Sequence, residues 1–263
     1  MQRFEGRVAV VTGGGSGIGL GMAEAFGAQG MRVVLADVEA DRLAPAAERV
    51  RAAGAPDVVT VPTDVRDPVA VEALATATID AFGAVHVLCN NAGVSTIGYQ
   101  WETPLEDWRS VFDVNVFGAV HGIRSFVPHL VAQDEGHIVN TASMAALMTS
   151  VGSAPYAASK HAVAGLSKAL RAELAIRSAH VGVSVMCPGE VRTNITDNIR
   201  TKGTDRDLAR VAALKDRLTT AMDPRDVGEL VVRSIRDRTF WILPNGRDHL
   251  AAVKADYDEL FAE

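Results

Sequence analysis

The sequence predicts an α/β fold, a doubly wound sheet of about seven parallel strands with helices on both faces. Three observations predict it. Short β-branched runs alternate along the chain with helical patterns of about a dozen residues, the order that gives parallel strands and right-handed crossovers. The first of these runs opens into a glycine-rich turn that leads straight into a helix. Small and polar residues (Gly13, Asp37, Asp64, Asn91) recur just past successive strands, where ligands bind in such sheets.

Val8 to Thr12 is a β-branched run and reads as a buried strand. Gly13-Gly14-Gly15-Ser16-Gly17-Ile18-Gly19 follows, then a helical pattern from Leu20 to Gln29. Strand, glycine turn and helix form the context of a dinucleotide fingerprint. The glycines permit a tight turn and close approach to a pyrophosphate, whose charge is favoured at the helix N-terminus. The second strand, Met31 to Ala36, ends at Asp37. An acid about 20 residues past the glycine turn can accept hydrogen bonds from adenosine ribose hydroxyls and repels a 2′-phosphate. Neither the glycine turn nor Val38 offers a basic partner, and Arg42 is expected on a solvated face. NAD is therefore favoured over NADP.

A helix follows Glu39 to about Ala53, broken by Gly54-Ala55-Pro56. Asp57 to Pro62 is a third strand leading to Thr63-Asp64-Val65. Pro68 to Phe82 is a helix ended by Gly83. Val85 to Cys89 is a fourth strand, closing on Asn90-Asn91-Ala92-Gly93. Thr103-Pro104-Leu105-Glu106 reads as a capping box for helical structure reaching about Ala132, with Asn115 inside its apolar stretch. Gly136 to Thr141 is a fifth strand, placing Ser143 just past its end. Pro155 opens a helix to about 177, on which Tyr156 and Lys160, at i and i+4, project from one face. A phenol beside a fixed positive charge in a cleft suits general acid–base work on a hydroxyl proton. Val181 to Cys187 is a sixth strand, followed by Pro188-Gly189-Glu190-Val191-Arg192-Thr193. Residues 194–222 are polar, without a fixed period, and read as a lid over a binding site. A helix restarts at Asp223-Pro224 and runs through Asp237. Phe240 to Leu243 is a seventh strand, and a final helix is expected over Arg247 to Phe261. No repeat or linker interrupts residues 1–263, so one domain is expected.

The bulk properties exclude several classes. Of 263 residues, 48% are hydrophobic and 22% charged, enough for a large core under an ordinary soluble surface. A net charge of −6 with interspersed signs speaks against nucleic acid or an anionic membrane as partner. No apolar run approaches the roughly 18 residues of a membrane span. The chain enters its first strand almost at once, leaving no room for a signal peptide, so a cytoplasmic location is expected. Cys89 and Cys187 each close an apolar run and are expected as buried free thiols. The histidines show no metal-ligand spacing, and no metal is expected.

Taken together, these motifs resemble the short-chain dehydrogenase/reductase family, in its non-extended branch. The resemblance covers nearly the whole chain: Thr12-Gly13 with Gly17-Ile18-Gly19, Asn90 to Gly93, the series Asn115, Ser143, Tyr156 and Lys160, and Pro188-Gly189 with Thr193. It implies a single Rossmann-type domain that transfers a hydride between NAD(H) and a secondary alcohol or ketone. Tyr156 would exchange the proton, Lys160 would lower the Tyr156 pKa and hold the nicotinamide ribose, and Ser143 would bind the substrate oxygen. Asn115 would hold a water linking Lys160 to solvent. Cofactor contacts are implied at Gly13, Gly15, Ser16, Gly17, Ile18 and Gly19, at Asp37, Asp64 and Val65, at Asn91, Ala92 and Gly93, at Tyr156 and Lys160, and at Pro188, Gly189, Val191 and Thr193. A homotetramer built partly through the helices at 103–132 and 155–177 is implied as well.

By analogy of position, the substrate would face Ser95, Ala145, Met148, Tyr156, Glu190 and segment 194–222. The run Met144 to Met148 suggests an apolar wall and hence a hydrophobic substrate. Two other readings stay open: an NADPH-dependent 3-oxoacyl reductase, against which Asp37 speaks, and a non-catalytic nucleotide-binding protein, against which the intact tetrad speaks. An epimerase or dehydratase of the extended branch would want a longer chain.

Overall fold

A computed structural model of the chain describes residues 1–197, 199–246 and 250–258. Its strands are β1 (Val8–Thr12), β2 (Arg32–Asp37), β3 (Val58–Pro62), β4 (Val87–Asn90), β5 (Gly136–Thr141), β6 (Val181–Met186) and β7 (Trp241–Ile242). They form one parallel sheet in the order β3-β2-β1-β4-β5-β6-β7. The expected doubly wound sheet is borne out. The chain winds outward from β1 in one direction and from β4 in the other, so a crevice opens between their C-terminal ends.

Strand residues alternate between two apolar layers because successive side chains point to opposite faces. Ala9 and Val11 of β1 face α1 (Gly17–Ala28), α2 (Ala40–Ala52) and α8 (Pro224–Arg236), through Met22, Phe26, Leu43, Val50, Val231 and Ile235. Val8 and Val10 face the layer of α3 (Pro68–Phe82), α5 (Gly118–Gln133) and α6 (Ala154–Arg177), with Leu74, Phe126, Leu130, Val163 and Leu170. Cys89 and Cys187 are buried free thiols, as expected.

Helices α1 and α8 cross backbone to backbone. A Cβ on Gly21 would stand 2.2 Å from the Pro224 carbonyl oxygen, and one on Gly228 would stand 2.2 Å from that of Gly21. Gly21→Ala therefore has to push the helices apart and is expected to lower stability by about 1–3 kcal/mol, as overpacking does. A urea midpoint equal to that of the parent would show that the crossing is not tight.

Three expectations are corrected. The capping box at Thr103 is not made: α4 (Leu105–Phe112) starts after Pro104 with no side-chain cap, and the Thr103 hydroxyl donates to the Tyr99 carbonyl instead. Between α4 and α5 the helix loosens into a π turn, Asp113–Phe117, which carries Asn115. Segment 194–222 is not irregular throughout, because it contains α7 (Asp205–Thr219). That helix buries only Asp207 and Leu218, so it shows no apolar stripe. Its N-terminus is secured by the Thr204 hydroxyl, which accepts from the Asp207 N–H and donates to the Asp207 carboxylate. The final helix is α9 (Leu250–Asp258); residues 247–249 and 259–261 of the expected span lie outside the described residues.

Candidate active site

The ends of β1 and β4 are braced by one hydroxyl. Thr12 Oγ1 accepts from the N–H groups of Asn91 (2.9 Å) and Ala92 (3.1 Å) and donates to the Cys89 carbonyl. Asn91 Nδ2 in turn donates to the Thr12 carbonyl, and Thr141 Oγ1 donates to Asn91 Oδ1. The glycine turn that follows is folded on itself: a Cβ on Gly19 would lie 2.1 Å from the Gly13 oxygen. Gly13 and Gly17 hold φ of +62° and +52°, the left-handed region that glycine enters without strain. Asp37, at the end of β2, accepts from the Gly15 N–H (2.9 Å) and the Glu39 N–H (3.0 Å).

The tetrad assembles from three elements: the π turn, the 3₁₀ turn after β5 and helix α6. Asn115 Oδ1 accepts from the Val94 N–H, while its Nδ2 donates to the Val94 carbonyl and to Ser159 Oγ. Ser143 caps the short 3₁₀ turn Met144–Ala146, accepting from the Ala145 N–H and donating to the Pro188 carbonyl. Tyr156 and Lys160 rise from α6, whose first turn contains Pro155. Lys160 is 3% exposed, and its Nζ donates to the Thr141 carbonyl at 2.9 Å. A Cβ on Gly93 would stand 3.3 Å from Lys160 Nζ and 3.4 Å from Asn115 Oδ1, so these three residues share one small space.

A cleft of about 590 Å³ joins the two halves, reaching from Ser16 and Asp37 to Tyr156, Lys160 and Pro188. Its glycine turn leaves backbone open to a phosphate chain, and the Asp37 carboxylate at the other side of that turn suits ribose hydroxyls. These residues fit a dinucleotide.

The sequence model of the short chain dehydrogenase family matches residues 7–204. The chain belongs to that family. It is 39% identical to the 1-deoxy-11-beta-hydroxypentalenate dehydrogenase of Streptomyces exfoliatus, over 97% of this chain and 88% of that one. It is 40% identical to the 2-(R)-hydroxypropyl-CoM dehydrogenase of Xanthobacter autotrophicus, over 72% and 76%. A short chain dehydrogenase/reductase from Burkholderia phymatum, solved in complex with NAD, superposes with a TM-score of 0.93 at 40% identity, covering 100% of this chain and 98% of that one. The oxidoreductase class expected from the motifs is borne out.

For this short-chain dehydrogenase, most sequence-predicted residues reach the cleft. Gly13, Ser16 to Gly19, Asp37, Asp64, Val65, Asn91 to Gly93, Tyr156, Lys160, Pro188 and Thr193 line it. Gly15 contributes through its N–H to Asp37 instead. Gly189 is turned to Asn245, whose side chain accepts its N–H, and Val191 is 2% exposed in the core beside α1 and α8. Asp64 is held by Arg66 through a forked pair that keeps its carboxyl below the usual range. Of the expected substrate contacts, Glu190 is paired with Arg217, and Met144 and Ala146 are core residues with Leu147 and Met148 packed against that core.

Burial pushes the Tyr156 phenol above its ordinary pKa, and a hydrogen bond from Ser143 pulls the other way. The Lys160 ammonium stands 5.6 Å from the Tyr156 ring centroid and turns to the Thr141 carbonyl. Burial lowers Lys160 itself to about 8.

Sequence reasoning missed Thr141 and Ser159 and misplaced Arg42. Thr141 ends β5 and could have been found by the strand-end rule that found Asn91. Ser159 lies one helical turn from Tyr156 and orients Asn115. Arg42 is not on a solvated face. From the first turn of α2 it lies back over the glycine turn, because helical side chains tilt toward the N-terminus.

Proposed function

We propose that this enzyme interconverts a secondary alcohol and its ketone with NAD(H), using Tyr156 as acid/base. The observation that carries this reading is the single cleft that holds the glycine turn, Asp37, Tyr156 and Lys160. The nicotinamide, when bound, supplies or takes the hydride. Tyr156 passes a proton to or from the substrate oxygen, and Ser143 donates a hydrogen bond where charge develops on that oxygen. Lys160 holds ribose hydroxyls, and Asn115, set in the π turn, braces the Val94 backbone and Ser159 around it. Asp37 accepts the adenosine ribose hydroxyls and makes NAD the preferred cofactor.

Val94, Val114, Ile195 and Ile199 line the cleft, which supports a hydrophobic substrate. Two relatives named as dehydrogenases of hydroxylated compounds support a hydroxyl as the reacting group. Residues 194–222 act as a lid on the one catalytic domain. Three contacts support this: Arg200 pairs by backbone with Ser95 and Ile97, the Arg206 guanidinium lies 3.9 Å over the Tyr99 ring, and Arg206 pairs with Glu102. A homotetramer is supported by exposed Phe117 and Leu105 and by the open Ala158 and Gly165 face of α6; light scattering showing a monomer would remove that idea. Buried free thiols agree with a cytoplasmic location.

The deciding experiment is a panel of secondary alcohols at fixed NAD, read by NADH absorbance. The expected result is turnover with apolar alcohols and little with NADP. NAD binding without NADH formation on any member would leave a nucleotide-binding protein without chemistry.

A further inference from the structure

Around the adenosine end of the cleft stand two carboxylates and one guanidinium whose arrangement was invisible in the sequence. Asp37 is fixed by the N–H groups of Gly15 and Glu39. Glu39, two residues on, forms an ion pair with Arg42 Nε. Arg42 Nη1 reaches the Ser16 hydroxyl at 3.4 Å, and the Arg42 Cβ lies 3.0 Å from where a Cβ on Gly15 would be. The guanidinium thus lies over the glycine turn, beside the carboxylate that takes the ribose. Nearby cations are already matched: Arg49 is on Glu24, Arg192 on Asp223 and Arg66 on Asp64.

We propose that Glu39 is a second determinant of cofactor choice, acting by holding Arg42 away from service as a ligand for a 2′-phosphate. This rests on the cleft binding a dinucleotide as described above. A 2′-phosphate placed at the ribose meets the Asp37 charge directly and finds the nearest guanidinium claimed by Glu39. A guanidinium binds phosphate through paired N–H donors, so a released Arg42 has the chemistry to accept the extra group. The Arg42–Glu39 pair is partly exposed, 30% and 34%, and such pairs are weak enough to exchange partners. Asp37 excludes by repulsion, and Glu39 excludes by occupying the guanidinium that lies over the turn. Replacing Asp37 alone therefore yields an enzyme that tolerates NADP without gripping it.

The test is calorimetric titration with 2′,5′-ADP, 5′-AMP and NAD, which reads binding without turnover. Glu39→Gln is expected to tighten 2′,5′-ADP several-fold relative to the parent. In the Asp37→Ser background, adding Glu39→Gln is expected to gain about tenfold or more for 2′,5′-ADP, with 5′-AMP changed little. Arg42→Ala in either background removes the gain, and the gain shrinks as salt rises. The proposal is overturned if Glu39→Gln leaves 2′,5′-ADP affinity unchanged in both backgrounds, or if Arg42→Ala does not erase the improvement. Failure of the dinucleotide reading itself would appear separately, as no binding of NAD or 5′-AMP by the parent protein.

Discussion

Tyr156→Phe is expected to lower turnover with a secondary alcohol by about 10²- to 10⁴-fold while NAD affinity stays within about threefold. The change removes one oxygen from a half-buried ring and leaves α6, Pro155 and the glycine turn untouched. Serine and lysine remain, but neither replaces the phenol. Ser143 is proposed to hold the substrate oxygen by a hydrogen bond and, as an alcohol, is too weak an acid to replace the phenol, and Lys160 is tied to the Thr141 carbonyl. The direction of the Tyr156 shift adds a second readout. Burial raises its pKa, so the neutral phenol dominates near neutrality. Alcohol oxidation, which needs the phenolate as base, should rise with pH across the alkaline range. Ketone reduction, which uses the phenol as acid, should hold until the raised pKa is passed. Stopped-flow rates in both directions would check this, and a near-normal rate for the phenylalanine variant would falsify the acid/base assignment.

What the sequence made legible follows from how each element is bounded. Helix α3 was readable to the residue because Asp67 accepts the Val69 N–H at one end and Gly83 takes φ of +74° at the other. Those are local signals carried by residue type alone. Helix α7 was not readable because its stability lies in capping and ion pairs rather than in an apolar stripe. The π turn at Asn115 left no trace either, since the same residues suit an ordinary helix and the wider turn is visible only in the backbone. At the site, spacing placed Tyr156 and Lys160 on one face correctly. It could not show that the lysine turns aside to the Thr141 carbonyl, because that partner comes from a strand 19 residues away. Arg42 was misplaced for a related reason. Its position at the start of α2 was known, but the backward lean that brings it over the turn depends on where β2 releases the chain.

Lys160→Met should cost turnover about 10²-fold or more and at the same time remove a pH-dependent burden on stability. A buried ammonium that stays charged is expensive. Here burial lowers the Lys160 pKa to about 8, against about 10.4 for an unfolded lysine. Below pH 8 the group is charged in both states, and the full burial cost is felt. Between about 8 and 10.4 the unfolded chain binds more protons than the folded one, so stability rises with pH through this window. The difference in unfolding free energy between parent and variant should therefore move by roughly 3 kcal/mol in favour of the parent from pH 7 to 10.5. Urea titrations of both proteins across that range measure it, since the remaining titrating groups are common to the two and cancel. A flat difference would mean that Lys160 is solvated rather than buried. A sloping difference together with lost turnover would identify a charge kept in place against stability, which is the signature of a group retained for its chemistry. The Thr141 carbonyl holds that charge inside the cleft with one hydrogen bond, which would leave its other N–H groups for the ribose hydroxyls of the proposed cofactor.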